Sequence, residues 1–152
     1  IFMKKLSSLL ALSACFIAGC GPTADDIIGT WTYDEGSVLK SDCGDLGITE
    51  IKLAGESITF AAGTEFDLIV DGGDCDTGFS FDGTELKEAG TEGTCETEEP
   101  SDYVTTTGEF ILTYVAEGET AKLVASGSVT VEDTEFGYSC TSEFVNGSLT
   151  KN

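Results

Sequence analysis

Apolar and polar residues alternate along most of the chain after residue 28, with the two-residue period that is typical of β-strands. Trp31 and Tyr33 alternate with threonines, and Phe110, Leu112 and Tyr114 form the strongest alternating run. Turns rich in Gly and Asp separate the alternating segments. No segment of residues 20–152 has the 3.6-residue period of a helix, so the pattern predicts strands joined by short turns.

The spacing of these segments predicts an all-β domain over residues 27–152. We expect a single small antiparallel β-barrel or a β-sandwich of about eight to ten strands. Cys75 has the parity of Phe79, and Cys140 has the parity of Phe136 and Phe144. Residues of one parity share a face of a strand, so both cysteine sulfurs are expected to point into the core.

The first twenty residues follow a different pattern. Lys4 and Lys5 come directly after Met3, and residues 6–17 form an apolar run that is too short to span a bilayer as a stable helix. The run leads into one aliphatic residue, two small residues and a cysteine, Ile17-Ala18-Gly19-Cys20. This order resembles the signal peptide and lipobox of bacterial lipoproteins, and the resemblance covers residues 3–20.

The lipoprotein resemblance implies that residues 1–19 are a helical signal peptide, with two residues before the start at Met3. Cleavage before Cys20 would leave a lipidated cysteine and a short tether over residues 20–26. Several acyl chains on Cys20 would anchor the chain, since each buried methylene contributes about 0.8 kcal/mol. The next residue, Gly21, is not Asp, which indicates the outer membrane of a bacterial envelope, at its periplasmic face or at the cell surface.

Composition changes this picture through charge. The chain has 28 acidic residues against 7 basic ones, no His, and a net charge of −21. Loss of Lys4 and Lys5 with the signal would leave −23 on residues 20–152. All seven basic residues are lysines, and phosphate binding needs clustered Lys and Arg, so nucleic acid is excluded as a partner. The hydrophobic share of 40% is enough for a packed core.

The residue types argue against catalysis. No His is available to activate a serine, and the sequence contains no Gly-x-Ser-x-Gly motif. Nothing in the spacing marks out two carboxylates as a catalytic pair. We therefore predict no catalytic residues, no cofactor and no enzyme activity.

Six cysteines occur, and four of them remain after loss of Cys15 and acylation of Cys20. An even number in an exported chain indicates two disulfides. The four candidates allow three pairings, and zinc is disfavoured because they form no C-x-x-C pair. Asp82-Gly83 predicts a hairpin that returns the chain towards its start. We therefore favour two particular bonds, Cys75–Cys95 and Cys43–Cys140.

The densest group of oxygen ligands lies on a Gly-rich segment and consists of Asp71, Asp74 and Asp76. Carboxylates in such a turn could bind Ca²⁺, which takes six to eight oxygens. Their spacing does not match an EF-hand loop. The simpler interpretation is an acidic turn in which Asp and Gly are present because they suit the turn conformation of the backbone. We predict no metal site apart from this weak calcium candidate.

Gly29 and Trp31, within Ile27-Ile28-Gly29-Thr30-Trp31, resemble the Gly-x-Trp segment of lipocalins and fatty-acid-binding barrels. The resemblance implies that Gly29 bends the first strand and that Trp31 plugs one end of a lipocalin-like barrel. Lipocalins stack an Arg on this Trp, and this chain contains no Arg. A core anchor in any β domain is the alternative role for Trp31.

Two hypotheses for function remain. The first is an envelope lipoprotein whose acidic β domain has a structural or protein-interaction role. The second is a lipocalin-like cup that binds a small apolar ligand. The sequence favours the first, because the second depends on a short motif without its Arg.

Overall fold

The computed structural model describes residues 21–96, 101–117 and 120–152. They form one short helix, one 3-10 turn at Gly44–Leu46 and eleven strands. The helix is α1 (Ala24–Ile27), and the strands are β1 (Gly29–Tyr33), β2 (Val38–Asp42), β3 (Ile48–Lys52), β4 (Ser57–Ala62), β5 (Leu68–Val70), β6 (Cys75–Phe81), β7 (Glu85–Gly93), β8 (Val104–Glu117), β9 (Thr120–Asp133), β10 (Tyr138–Val145) and β11 (Ser148–Lys151).

Eight of the strands close into an antiparallel barrel. Around the ring the order is β11, β1, β4, β5, β6, β7, β8 and β9, and β9 pairs back to β11. The prediction of a small antiparallel barrel is confirmed, and the sandwich alternative is wrong. Closure follows because Leu149 of β11 lies opposite Leu123 of β9, which leaves neither strand as a barrel edge.

The remaining three strands extend the sheet beyond the barrel. β7 pairs with β8 at residues 111–113, while residues 104–109 of β8 pair with β9 alone. β10, β2 and β3 then add in order beside the second half of β9. We call residues 38–52, 101–109 and 128–145 the arm. Eleven strands exceed the eight to ten expected, because the arm needs strands that the barrel does not.

Two glycines mark the passage from barrel to arm. Gly108 and Gly127 have φ angles of +88° and +89°, which L side chains rarely adopt. A Cβ at Gly108 would lie 2.1 Å from the carbonyl oxygen of Ser128, and one at Gly127 would lie 2.3 Å from that of Glu109. Only glycine fits at either position. The two glycines therefore allow β8 and β9 to adopt this unusual backbone conformation where they leave the barrel.

The chain termini of the domain and the arm lie at opposite ends of the barrel. The Lys151 ammonium donates to the carbonyl oxygen of Asp26 in α1 at 2.7 Å. A Cβ on Gly83, in the β6–β7 turn, would lie 3.7 Å from the carbonyl oxygen of Pro22. β9 starts at Thr120 near this end and runs away from it into the arm. The sequence predicts a tether over residues 20–26, but the structure places residues 24–26 in helix α1. A helix of one turn is too short to produce a helical period in the sequence.

The centre of the barrel is filled by side chains of the described strands. Six large residues are at most 1% exposed: Trp31, Phe60, Leu68, Leu86, Leu123 and Leu149. A cavity large enough for a water molecule would leave the side chains that line it partly exposed. These side chains therefore have no water-sized space beside them, as in other small barrels with packed cores.

The prediction that the sulfurs of Cys75 and Cys140 point into the core is wrong, since neither residue belongs to the buried core. The residues that share the parity of Cys140 show why. Phe136 is 75% exposed and Tyr138 is 36% exposed, since this part of the chain lies on the arm and not in the barrel. Only Phe144, where β10 approaches the barrel, packs inward, with its ring centroid 4.8 Å from that of Phe110. Parity decides which residues share a face, and tertiary pairing decides whether that face is covered.

Candidate interaction surface on the arm

Exposed apolar side chains concentrate on the arm. Among residues 21–96, 101–117 and 120–152, nine large hydrophobic side chains are exposed, and Val124 is the one that lies on the barrel part of a strand. The other eight lie on the arm: Leu46, Ile48, Ile51, Tyr103, Val104, Phe136, Tyr138 and Val145. Val104, Tyr138 and Ile51 share one face of the arm sheet, whereas Ile48 and Val145 lie on the other. This concentration of exposed apolar side chains makes the arm a candidate interaction site.

The outer end of the arm is held in shape by backbone hydrogen bonds. The Asp133 carboxylate is nearly buried and accepts from the backbone N–H groups of Glu135 and Phe136, both at 2.9 Å. The Thr134 N–H donates to the carbonyl oxygen of Tyr103 at 2.9 Å, which ties the β9–β10 turn to the segment before β8. The exposed ring of Phe136 therefore projects from an ordered turn.

Charge surrounds these apolar side chains. The arm contains two lysines, Lys40 and Lys52, and nine acidic residues. Lys40 lies 4.0 Å from Glu143, and with Asp42 and Thr141 these side chains line a shallow depression. The arm as a whole is acidic, and basic groups would complement its charge. The acidic residues are Asp42, Asp45, Glu50, Asp102, Glu109, Glu132, Asp133, Glu135 and Glu143.

Both favoured disulfides are present. Cys43 is bonded to Cys140 and Cys75 is bonded to Cys95. The first bond joins the end of β2 to β10 inside the arm, and the second joins the outer end of β6 to the chain just after β7. The hairpin that Asp82-Gly83 predicts is also present, since β6 pairs antiparallel with β7 on either side of this turn.

The structure does not gather the three calcium candidates into one site. Asp71 accepts from the backbone N–H of Gly73 at 2.8 Å, and Asp76 accepts from that of Gly72 at 3.0 Å. In the described part of the chain, no group of three or more acidic or cysteine side chains is placed to hold a metal ion. Asp71 and Asp76 stabilise the turn before β6, and Asp74 adds no third ligand.

Gly29 and Trp31 lie where the first strand enters the barrel. Gly29 has a φ of +126°, and a Cβ there would lie 3.2 Å from Cε of Lys151. The Trp31 Nε1–H donates to the carbonyl oxygen of Ile27 at 2.7 Å. A cation does lie over the indole: Nζ of Lys151 is 5.6 Å from the ring centroid, within cation–π range. Sequence analysis considered only Arg for this position and missed Lys151.

A polar cluster joins β1 to β11 and β9 at the barrel end near the arm. Asp34 accepts hydrogen bonds of 2.7 Å from the hydroxyls of Ser148 and Thr150, and Lys122 lies 3.7 Å from its carboxylate. These partners, first of all the Ser148 hydroxyl, hold the pKa of Asp34 below its usual value. The two hydroxyls and the Lys122 ammonium together stabilise the ionised form of Asp34.

The lowered pKa of Asp34 predicts acid sensitivity. The stabilisation is complete above the unfolded pKa of about 3.9 and is lost as the pH falls through the lower folded pKa. We expect Asp34→Asn to be less stable than the parent at pH 7 and to lose less stability between about pH 4 and pH 2. Urea unfolding at several pH values checks this, with the exposed neighbour Glu35→Gln as control. Parallel pH profiles for the parent and Asp34→Asn would contradict the assignment.

Cys20 and the preceding Ile17, Ala18 and Gly19 lie outside the residues that the structure describes. Within the described residues, no helix has the length and apolar character needed to cross a membrane. Comparison of the chain with protein-family models, with curated proteins and with solved structures finds no match. Function therefore has to be argued from the residues of this chain.

Proposed function

We propose that this protein is an envelope-anchored bacterial lipoprotein whose acidic, non-catalytic β domain presents the arm to a protein partner. The observation that supports it is the placement of the two ends of the domain. α1 begins four residues after Cys20, and the arm leaves the barrel at the opposite end. A lipid on Cys20 would therefore place the outer membrane surface next to α1 and direct the arm away from it.

The length of β8 and β9 sets the reach of the arm. Each strand has 14 residues, and at about 3.3 Å per residue each extends roughly 45 Å. The three residues between Cys20 and α1 extend about 10 Å at most. The tip near Phe136 would thus stand several nanometres from the bilayer, where another envelope protein can reach it.

The chemistry of the arm indicates the kind of partner. Eight exposed hydrophobic side chains lie among two lysines and nine acidic residues. An apolar segment flanked by Lys or Arg complements this surface in both respects. Net negative charge also opposes contact between the arm and anionic lipid.

The alternative function, binding of a small apolar ligand in a lipocalin-like cup, has less support. The residues that would line such a cup include Phe60, Leu68 and Leu123, and each is at most 1% exposed. A ligand would have to displace packed core side chains, which costs free energy that a preformed cavity does not.

The anchor has a direct test. Cys20→Ala removes the sulfur that would carry the lipid, so we expect the variant to leave the membrane fraction almost completely. Fractionation of the full chain, with Cys15→Ala as a matched control that keeps membrane retention, measures this. Retention of the Cys20→Ala protein on membranes would overturn the lipoprotein assignment.

The orientation has a separate test. A fluorophore on Thr84→Cys, in the turn beside Pro22, should be strongly quenched by a quencher attached to lipid headgroups. The same fluorophore on Phe136→Cys, at the arm tip, should be quenched at least severalfold less, because quenching falls steeply with distance. Equal quenching at both positions in the anchored full chain would show that the arm does not project from the membrane.

A further inference from the structure

We propose that the free edge of β3 pairs with β3 of a second copy of this chain, antiparallel and with the two-fold axis at Ile51. The inference deepens the proposed function, since it names a second copy as one partner of the arm and relies on membrane anchoring to bring the copies together. Among the strands of the described residues, β3 is the terminal strand of the sheet, and its five residues are all exposed.

The free edge has hydrogen-bonding groups available. The Leu53 N–H donates to the carbonyl oxygen of Ser37 at 2.9 Å, so Leu53 is bonded towards β2. In an antiparallel pair such residues alternate, which places Ile51 and Thr49 towards β2 as well. The backbone N–H and C=O groups of Ile48, Glu50 and Lys52 therefore point outwards, away from β2, and can pair with another strand.

The side chains of β3 are complementary to themselves in one register. With Ile51 opposite Ile51 of the second copy, Glu50 lies opposite Lys52 of that copy, and Lys52 lies opposite its Glu50. Glu50 and Lys52 share one face, so the pairing gives two ion pairs on that face and one apolar pair on the other. Glu50 and Lys52 are among the outward-bonded residues, so each opposed pair also exchanges backbone hydrogen bonds.

The neighbouring registers lack this match. An axis at Glu50 would place two glutamates opposite each other, and an axis at Lys52 would place two lysines opposite each other. Like charges directly opposite each other destabilise a strand pair. An axis at Thr49 would oppose Glu50 to Ile48 and leave Lys52 opposite no strand residue. Only the axis at Ile51 satisfies both charges.

Anchoring supplies the concentration that this small interface needs. A pairing of a few residues buries far less than about 1,200 Å², the lower limit of stable interfaces, so it is weak between free copies. The net charge of −23 that would remain on residues 20–152 of each anchored copy also repels a second copy. Copies held in one membrane with their arms at one height meet at high effective concentration. At about 0.15 M salt the Debye length is only about 8 Å, so long-range repulsion is largely screened.

Cysteine crosslinking in membranes tests the register. In full-length protein in the membranes of the expressing bacterium, catalysed oxidation of Ile51→Cys should give a disulfide-linked dimer. Residues opposed without mutual backbone hydrogen bonds have Cα atoms about 4.5 Å apart, which a disulfide can bridge. The matched control Thr49→Cys should crosslink at least tenfold less, since each Thr49 would face Leu53 of the second copy. Absence of crosslinking at residue 51, or equal crosslinking at residue 49, overturns the proposal.

Reversal of the charge at residue 50 or 52 tests whether the strand that pairs with β3 is β3 of a second copy. Glu50→Lys and Lys52→Glu, each combined with Ile51→Cys, should each lower the dimer yield about fivefold or more, because like charges then face each other. Mixed in one membrane, the two variants should form a crosslinked heterodimer at close to the parental yield. A mixture that crosslinks no better than either variant alone overturns the pairing. Membrane retention of all variants, measured in parallel, reports on the anchor separately.

Discussion

Trp31→Ala should lower the free energy of unfolding by about 3–5 kcal/mol, the usual loss for a large aromatic residue in a packed core. Trp31 has no exposed surface, and its indole contacts Tyr114 edge-on with ring centroids 6.5 Å apart. The substitution also leaves the carbonyl oxygen of Ile27 without its donor and Lys151 without the ring beneath it. Urea unfolding followed by circular dichroism measures the change.

Trp31→Phe is the matched control. It keeps an aromatic ring but removes the Nε1–H, so the loss should be nearer 1–3 kcal/mol, the cost of a smaller ring and one missing hydrogen bond. A loss below about 1 kcal/mol for Trp31→Ala would show that Trp31 does not anchor the barrel end. Equal losses for both variants would assign the effect to what both lack, the Nε1–H hydrogen bond and the part of the indole that exceeds a phenyl ring.

Removal of the Cys43–Cys140 disulfide by Cys43→Ser with Cys140→Ser should be the second largest effect. This bond closes a separation of 97 residues, against 20 for Cys75–Cys95. Because each bond restricts the unfolded chain, the bond that closes the long loop should stabilise the fold by about 4.7 kcal/mol and the other bond by about 3.3 kcal/mol. Both are upper values, because engineered and native bonds often contribute less than the chain-entropy relation predicts.

The variant with Cys75→Ser and Cys95→Ser is the matched control for this comparison. Unfolding midpoints of the two double variants should differ in the order that the loop lengths give. Titration of thiols in the parent protein should find none at these four positions. A control that loses more stability than the Cys43 and Cys140 variant would contradict the loop-length explanation and indicate that local packing dominates.

Most of the barrel could be predicted from the alternation of residue types. Trp31, Leu112 and Leu123 lie on faces that the two-residue period identified, and the turn at Asp82-Gly83 correctly predicted one hairpin. The disulfide pairing followed from that hairpin and from the even number of cysteines left once the first twenty residues are taken as an expected export signal. These inferences succeed because strand parity and turn chemistry depend on residues a few positions apart.

The arm could not be predicted in the same way. β2 shows no clean alternation. In β3 the alternation of Ile51 with Glu50 and Lys52 predicts a strand, but it does not reveal that the whole strand is exposed. Phe136 and Tyr138 have the parity of core residues and are nevertheless exposed. The place of Lys151 above Trp31 depends on β1 pairing with β11, which are separated by more than a hundred residues.

The sequence by itself determined the strand content, the acidic charge of −21, the absence of His and Arg, and the signal-like first twenty residues. Tertiary structure alone decided which faces are covered, that β9 closes the barrel on β11, and that β8 and β9 continue into an arm. The physical reason is the range of the interactions. Alternation records what each strand can bury, whereas burial itself depends on distant strands that pack against it.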